Sequence, residues 1–164
     1  MPELPEVETV RNYLKENILN KKIINIDILY PKMIENDINE FKKKLINNFF
    51  IDIQRKGKYL IFALDKYYLI SHLRMEGKFN IKPINEEISK HEHVIFYFEN
   101  FTLRYNDTRK FGRKKLINKD DLDDYSIYLD HSHIWNLKRQ YGGILSGRSG
   151  SGKTSFRRLR YGFV

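Results

Sequence analysis

A mostly β fold with flanking helices, α+β in class and built as a two-layer β-sandwich, is what this sequence predicts. Two amphipathic helical stretches come early, and from Phe50 onward short apolar runs alternate with turn signals at close spacing. No βαβ rhythm and no internal repeat interrupts that pattern. With 164 residues, 41% hydrophobic and 14% aromatic, one well-filled core is the expectation.

The first element is a helix from Pro5 to about Asn20. Val7, Val10, Leu14 and Ile18 fall on one face, Pro5 suits a first turn, and Glu6 and Glu8 complement the dipole. Ile24, Ile26 and Ile28 then alternate with polar residues, as in a strand. A short helix follows from about Asp37 to Asn47, with Phe41 and Leu45 inward and Asn36 or Asp37 as cap. Ile51 and Ile53 lead into a turn at Arg55-Lys56-Gly57-Lys58, and Tyr59 to Leu64 reads as a buried strand. Asp65-Lys66 turns the chain into Tyr67 to Leu73. Val94, Phe96 and Phe98 alternate, Glu99-Asn100 turns, and Phe101, Leu103 and Tyr105 alternate again.

After about Tyr125 the composition shifts. No acidic residue occurs from Trp135 to Val164, whereas Lys138, Arg139, Arg148, Lys153, Arg157, Arg158 and Arg160 are basic. Gly and Ser cluster between Gly142 and Gly152, so residues 125–164 read as a basic tail following a domain of residues 1–124. Across the whole chain 30 Lys+Arg face 21 Asp+Glu, a net charge of +9, which favours a polyanionic partner, nucleic acid ahead of an anionic membrane. A Lys-rich composition bias also accounts for part of that excess. Cys is absent, which excludes disulfides, thiolate metal sites and a Cys nucleophile. No apolar run reaches membrane-spanning length, and the acidic opening MPELPEVETV is unlike a secretory signal, so a cytoplasmic location is expected.

That opening also carries chemistry. Removal of the initiator Met leaves Pro2 as a free secondary amine, which titrates near ~7.7–8.0 and is therefore partly neutral at physiological pH. Such an amine attacks an aldehydic carbon to give an iminium ion. Glu3 and Glu6 stand beside it as acid/base candidates. His91 and His93 are two apart on a strand and share a face, but without a third ligand they read as structural histidines; no metal site is expected.

MPELPEVETV, Arg55 to Tyr59 (R-K-G-K-Y), Ser71 to Phe79 (SHLRMEGKF), His91 to Val94 (H-E-H-V) and Asn106 to Gly112 (N-D-T-R-K-F-G) occur in this order. Together they closely resemble the N-terminal half of formamidopyrimidine-DNA glycosylase, from Met1 to about Asp121. The resemblance implies that family's N-terminal β-sandwich and a base-excision repair activity, glycosylase and AP lyase, on oxidised purines such as 8-oxoguanine and formamidopyrimidines. It implies Pro2 as Schiff-base nucleophile, Glu3 as acid/base at the sugar, Glu6 as a further acidic position and Lys58 as a catalytic lysine touching phosphate. By the same resemblance His91, Arg109 and Lys58 contact DNA, and Met75, Arg109 and Phe111 fill the gap left by an everted nucleotide. Damaged double-stranded DNA is the implied partner, of a monomer associated with the nucleoid.

The family continues into a helix-two-turn-helix module and usually a Cys₄ zinc finger. Neither has a counterpart here, so no zinc or other cofactor is expected, and the chain reads as a truncated or frame-disrupted member. A catalytically silent DNA-binding remnant of the same fold is the alternative, because affinity falls with each lost phosphate contact. A third reading comes from Gly147 to Thr154, GRSGSGKT, which satisfies the phosphate-loop pattern G-x-x-x-x-G-K-[ST]. It lacks a delivering strand, a receiving helix and an acidic strand end for Mg²⁺, so nucleotide binding is the minor alternative.

Overall fold

The structure is a computed structural model and describes residues 4–57, 59–74 and 76–121. The chain divides into two compact units, Met1–Leu116 and Ile117–Val164. Of the second, residues 117–121 are described and include a 3-10 turn at Lys119–Asp121. The tail expected over 125–164, with GRSGSGKT, lies outside the described residues.

Helix α1 spans Leu4–Ile18. Its apolar face is the expected one: Val7, Leu14 and Ile18 are buried and Val10 packs against the core. The helix ends before Asn20, which takes a left-handed conformation (φ 63°), one that Asn tolerates better than most residues. Strand β1 is Asn25–Ile28. Here the expected alternation fails at one position, since Ile24 is 50% exposed and Ile23 is fully buried instead. Ile24 precedes the strand, and the chain at Lys22 bridges to Phe49, so the two-residue period begins only with β1. Helix α2, Ile38–Leu45, buries Phe41 and Leu45, and Asp37 caps it by accepting the Glu40 N–H at 3.1 Å.

Six more strands follow: β2 Asp52–Lys56, β3 Tyr59–Ala63, β4 Tyr67–His72, β5 Lys78–Lys82, β6 Glu92–Tyr97 and β7 Thr102–Asn106. The last strand, β8, is Arg113–Asn118. They form two four-stranded sheets, ordered β1-β6-β7-β5 and β2-β3-β4-β8. The paired registers within each sheet are antiparallel, for example Ile61 opposite Ile70 and Phe96 opposite Leu103. The two-layer sandwich read from the sequence is therefore the observed architecture. β5 and β8 were not anticipated.

A row of rings fills the interior. Phe96 meets Phe50 at 6.1 Å, Phe50 meets Phe62 at 5.0 Å, Phe62 meets Phe79 at 5.4 Å and Phe79 meets Tyr105 at 5.1 Å. All but Phe79 are fully buried, and burial of such a side chain contributes about 1.5–3 kcal/mol. The row ends at Tyr105, directly beneath the turns that carry the candidate site.

A candidate nucleic-acid interface

Two turns and one strand start come together at a single buried residue, Asp107. Asp107 follows β7, and its side chain accepts the N–H groups of Lys110 (3.1 Å) and Gly112 (2.7 Å) and the hydroxyl of Tyr105 (3.1 Å). Its own N–H donates to the His91 carbonyl at 2.9 Å, and its carbonyl lies 2.8 Å from His93 Nε2. A short side chain bonding to backbone a few residues ahead is the usual device of an Asp-initiated turn. Here it fixes residues 107–112, which carry Arg109 and Phe111. The Arg113 guanidinium finishes the turn by donating to the Lys110 and Gly112 carbonyls.

The turn presents its side chains outward. Phe111 is 48% exposed and the Arg109 side chain 53% exposed. Arg109 Nε stands 3.5 Å from Glu76, on the neighbouring turn between β4 and β5, which is closed by the Gly77 N–H donating to the Leu73 carbonyl. Lys110 lays its ammonium over the Tyr30 ring at 4.7 Å.

Of the expected site residues, His91 bonds Asp107 through its carbonyl, Arg109 and Phe111 lie in the turn that Asp107 fixes, and Glu6 belongs to a different element, α1, where it is exposed. Pro2, Glu3, Lys58 and Met75 lie outside the described residues. Glu8, which sequence reasoning did not single out, ties α1 to β2. It accepts from Arg11 (Nε, 2.9 Å) and Arg55 (Nε, 2.6 Å), and these two hydrogen bonds hold its carboxyl below the usual range. Arg11 also reaches the Ile53 carbonyl, and Lys15 pairs with Asp52 at 3.1 Å. The helix that follows residues 2 and 3 is therefore fastened to the strand that leads to residue 58.

His91 and His93 do not share a strand face. β6 begins at Glu92, and a register shift between Glu92 and Val94 breaks the alternation, so Glu92, His93 and Val94 are all buried. Among the described residues no group of three or more His, Cys, Asp or Glu could hold a metal ion.

The family model for the formamidopyrimidine-DNA glycosylase N-terminal domain matches residues 1–114. The chain belongs to that family. Formamidopyrimidine-DNA glycosylases of Ligilactobacillus salivarius and Streptococcus pneumoniae are 54% identical over 119 residues and 51% identical over 128. These matches take in 71% and 77% of this chain but 43% and 47% of the relatives. The chain spans about half the length of the curated relatives it matches. Among solved structures, a Lactococcus lactis Fpg in complex with abasic-site DNA superposes with a TM-score of 0.74 at 43% identity, over 77% of this chain and 48% of that one. Another, with DNA containing N7-benzyl-Fapy-dG, gives the same TM-score at 44% identity. The glycosylase N-terminal domain fold is thus established for this chain. No described helix is long and apolar enough to cross a membrane.

Proposed function

We propose that this chain carries the catalytic domain of a DNA glycosylase/AP lyase acting on oxidised purines in nucleoid DNA of the cytoplasm. The observation that carries the reading is the 107–112 turn, a buttressed loop that holds an exposed Phe111 and Arg109 away from the core. An aromatic ring and a guanidinium are what a duplex accepts in place of a base that has been swung out of the stack. A net charge of +9 suits the polyanionic backbone.

In this reading the Pro2 amine attacks C1′ of the everted nucleotide, the glycosidic bond breaks, and the base leaves with a proton. The opened sugar is held as an iminium ion on Pro2. That cation acidifies the C2′ proton, whose removal expels the 3′ phosphate, and a second elimination releases the 5′ phosphate. Glu3 handles protons at the sugar, Glu6 adds negative charge beside it, and Lys58 steadies a phosphate near the lesion. His91 and Arg109 contact the strand, and Met75, Arg109 and Phe111 fill the void. The links from Glu8 to Arg55 and Arg11 support this, since they brace the helix behind residues 2 and 3 against the strand before residue 58.

Borohydride trapping of the purified chain on 8-oxoguanine and abasic duplexes tests the proposal. A covalent adduct is expected from the wild type and none from Pro2→Gly. Duplex binding with no adduct from the wild type would instead identify a silent DNA-binding domain.

A further inference from the structure

We propose that the buried pair Tyr105 and Asp107 is a positioning unit that locks the 74–77 and 107–112 turns together, so that residues 109 and 111 are offered to DNA on a rigid surface. The role in DNA rests on the function proposed above; the coupling of the turns does not.

The geometry points to one atom, the Tyr105 hydroxyl. It donates to Asp107 at 3.1 Å, and the same carboxylate oxygen takes the Gly112 N–H at 2.7 Å. A methyl group placed on Gly112 would overlap that hydroxyl, and one placed on Gly77, in the other turn, would also overlap it. Each turn therefore closes onto the same oxygen from its own side, and neither has room for a Cβ. Tyr105 itself cannot retreat, because its ring is fully buried against Phe79 at the end of the aromatic row.

Two further features fit a locked unit. Arg74 and Lys110, one in each turn, both adopt left-handed backbone conformations (φ 56° and 59°). Non-glycine residues keep that conformation only where their surroundings over-determine it. At the surface, Arg109 and Glu76 span the same pair of turns at 3.5 Å. Asp107 extends the unit to His91 through its backbone N–H.

The test uses the full chain and two substitutions. Tyr105→Phe keeps the ring and removes only the hydroxyl. Amide hydrogen exchange at Gly77 and Gly112 is expected to accelerate on the order of tenfold, with Ile61 in β3 unchanged. Acceleration in one turn alone, or in neither, overturns the proposal. Gly112→Ala, whose methyl presses on the Tyr105 hydroxyl and ring, is expected to loosen Gly77 across the gap, and an unchanged Gly77 would overturn the proposal as well. For the DNA role, 2-aminopurine opposite an abasic analogue reports insertion of the turns. Wild type is expected to brighten it, and Tyr105→Phe to bind that duplex about tenfold more weakly while binding undamaged duplex equally, since the latter affinity tracks phosphate contacts. Coupled exchange with no brightening by wild type refutes the DNA reading and leaves the coupling supported.

Discussion

Replacing Lys114 with methionine is expected to stabilise the protein. Lys114 lies in β8 with 0% exposure, and its Nζ has no hydrogen-bond acceptor. It sits 2.9 Å from the centre of the Tyr105 ring and 5.1 Å from that of Phe79, so it faces π-clouds. Burial pulls its pKa well below the ordinary lysine range, only partly opposed by the Asp107 charge. Burial thus favours the neutral amine in the fold, whereas the unfolded chain carries a protonated one at pH 7. A buried polar group without a partner costs about 1–3 kcal/mol, and methionine keeps the stem volume while removing the amine. The competing effect is the ring contact, which would contribute about 2 kcal/mol if a charged, desolvated ammonium made it, and far less for a neutral amine. The direction of that shift weakens the ring contact, so Lys114→Met should gain ~1–3 kcal/mol in urea unfolding near pH 10, where protonation of the unfolded chain adds little, and more at pH 7. Linkage adds a second handle. Because the unfolded chain binds the proton and the fold does not, wild-type stability falls as pH drops below ~10.4, by at most ~1.4 kcal/mol per pH unit, until the folded pKa is reached. The advantage of Lys114→Met should therefore shrink as pH rises from 7 to 10. A destabilised variant, or a gain that does not change with pH, would refute a buried amine whose pKa is depressed.

Arg104 makes the opposite prediction. It is buried and donates to the carbonyls of Pro83, Glu86 and Glu87, to Thr102 and to Glu92. Arg104→Met leaves Glu92 and three carbonyls short of partners and should cost about 3–5 kcal/mol in the same unfolding assay. Glu92 sets an acid limit. Burial alone would raise its pKa, but Lys82, the Ser89 N–H and Arg104 together hold it below the ordinary value. A depressed carboxyl contributes stability above the unfolded pKa near ~4.3 and loses it as pH falls through the folded value, so an acid titration of Glu92→Gln should lack that part of the wild-type loss.

The parts of the fold that were legible in the sequence are those where one periodicity acts alone. Val7, Leu14 and Ile18 mark the inner face of α1, and Phe41 and Leu45 that of α2, because a helix packed on one side buries only one stripe. Val94, Phe96, Leu103 and Tyr105 mark the inner face of their sheet by the same logic at period two. What alternation cannot show is whether something covers the other face. Arg104, between Leu103 and Tyr105, should point to solvent by parity, yet it is buried because the 83–91 segment turns its carbonyls onto it. β8 escaped for a related reason: R-K-K-L-I-N has no apolar face in its letters, and Lys114 lies inside the core against aromatic rings.

The candidate site divides in the same way. Arg109 and Phe111 were recoverable because they belong to a contiguous string, N-D-T-R-K-F-G. The residues that hold that string in place act over distance or through backbone atoms, and neither leaves a spacing rule. Tyr105 counts in the sequence as one more inward aromatic, although its hydroxyl is the oxygen on which Gly77 and Gly112 both close. Asp107 reads as a turn former, and only the folded chain shows that its carboxylate and peptide atoms join residues 91, 93, 105, 110 and 112. A substitution at either position would leave every residue expected at the DNA in place and still move the surface that presents them.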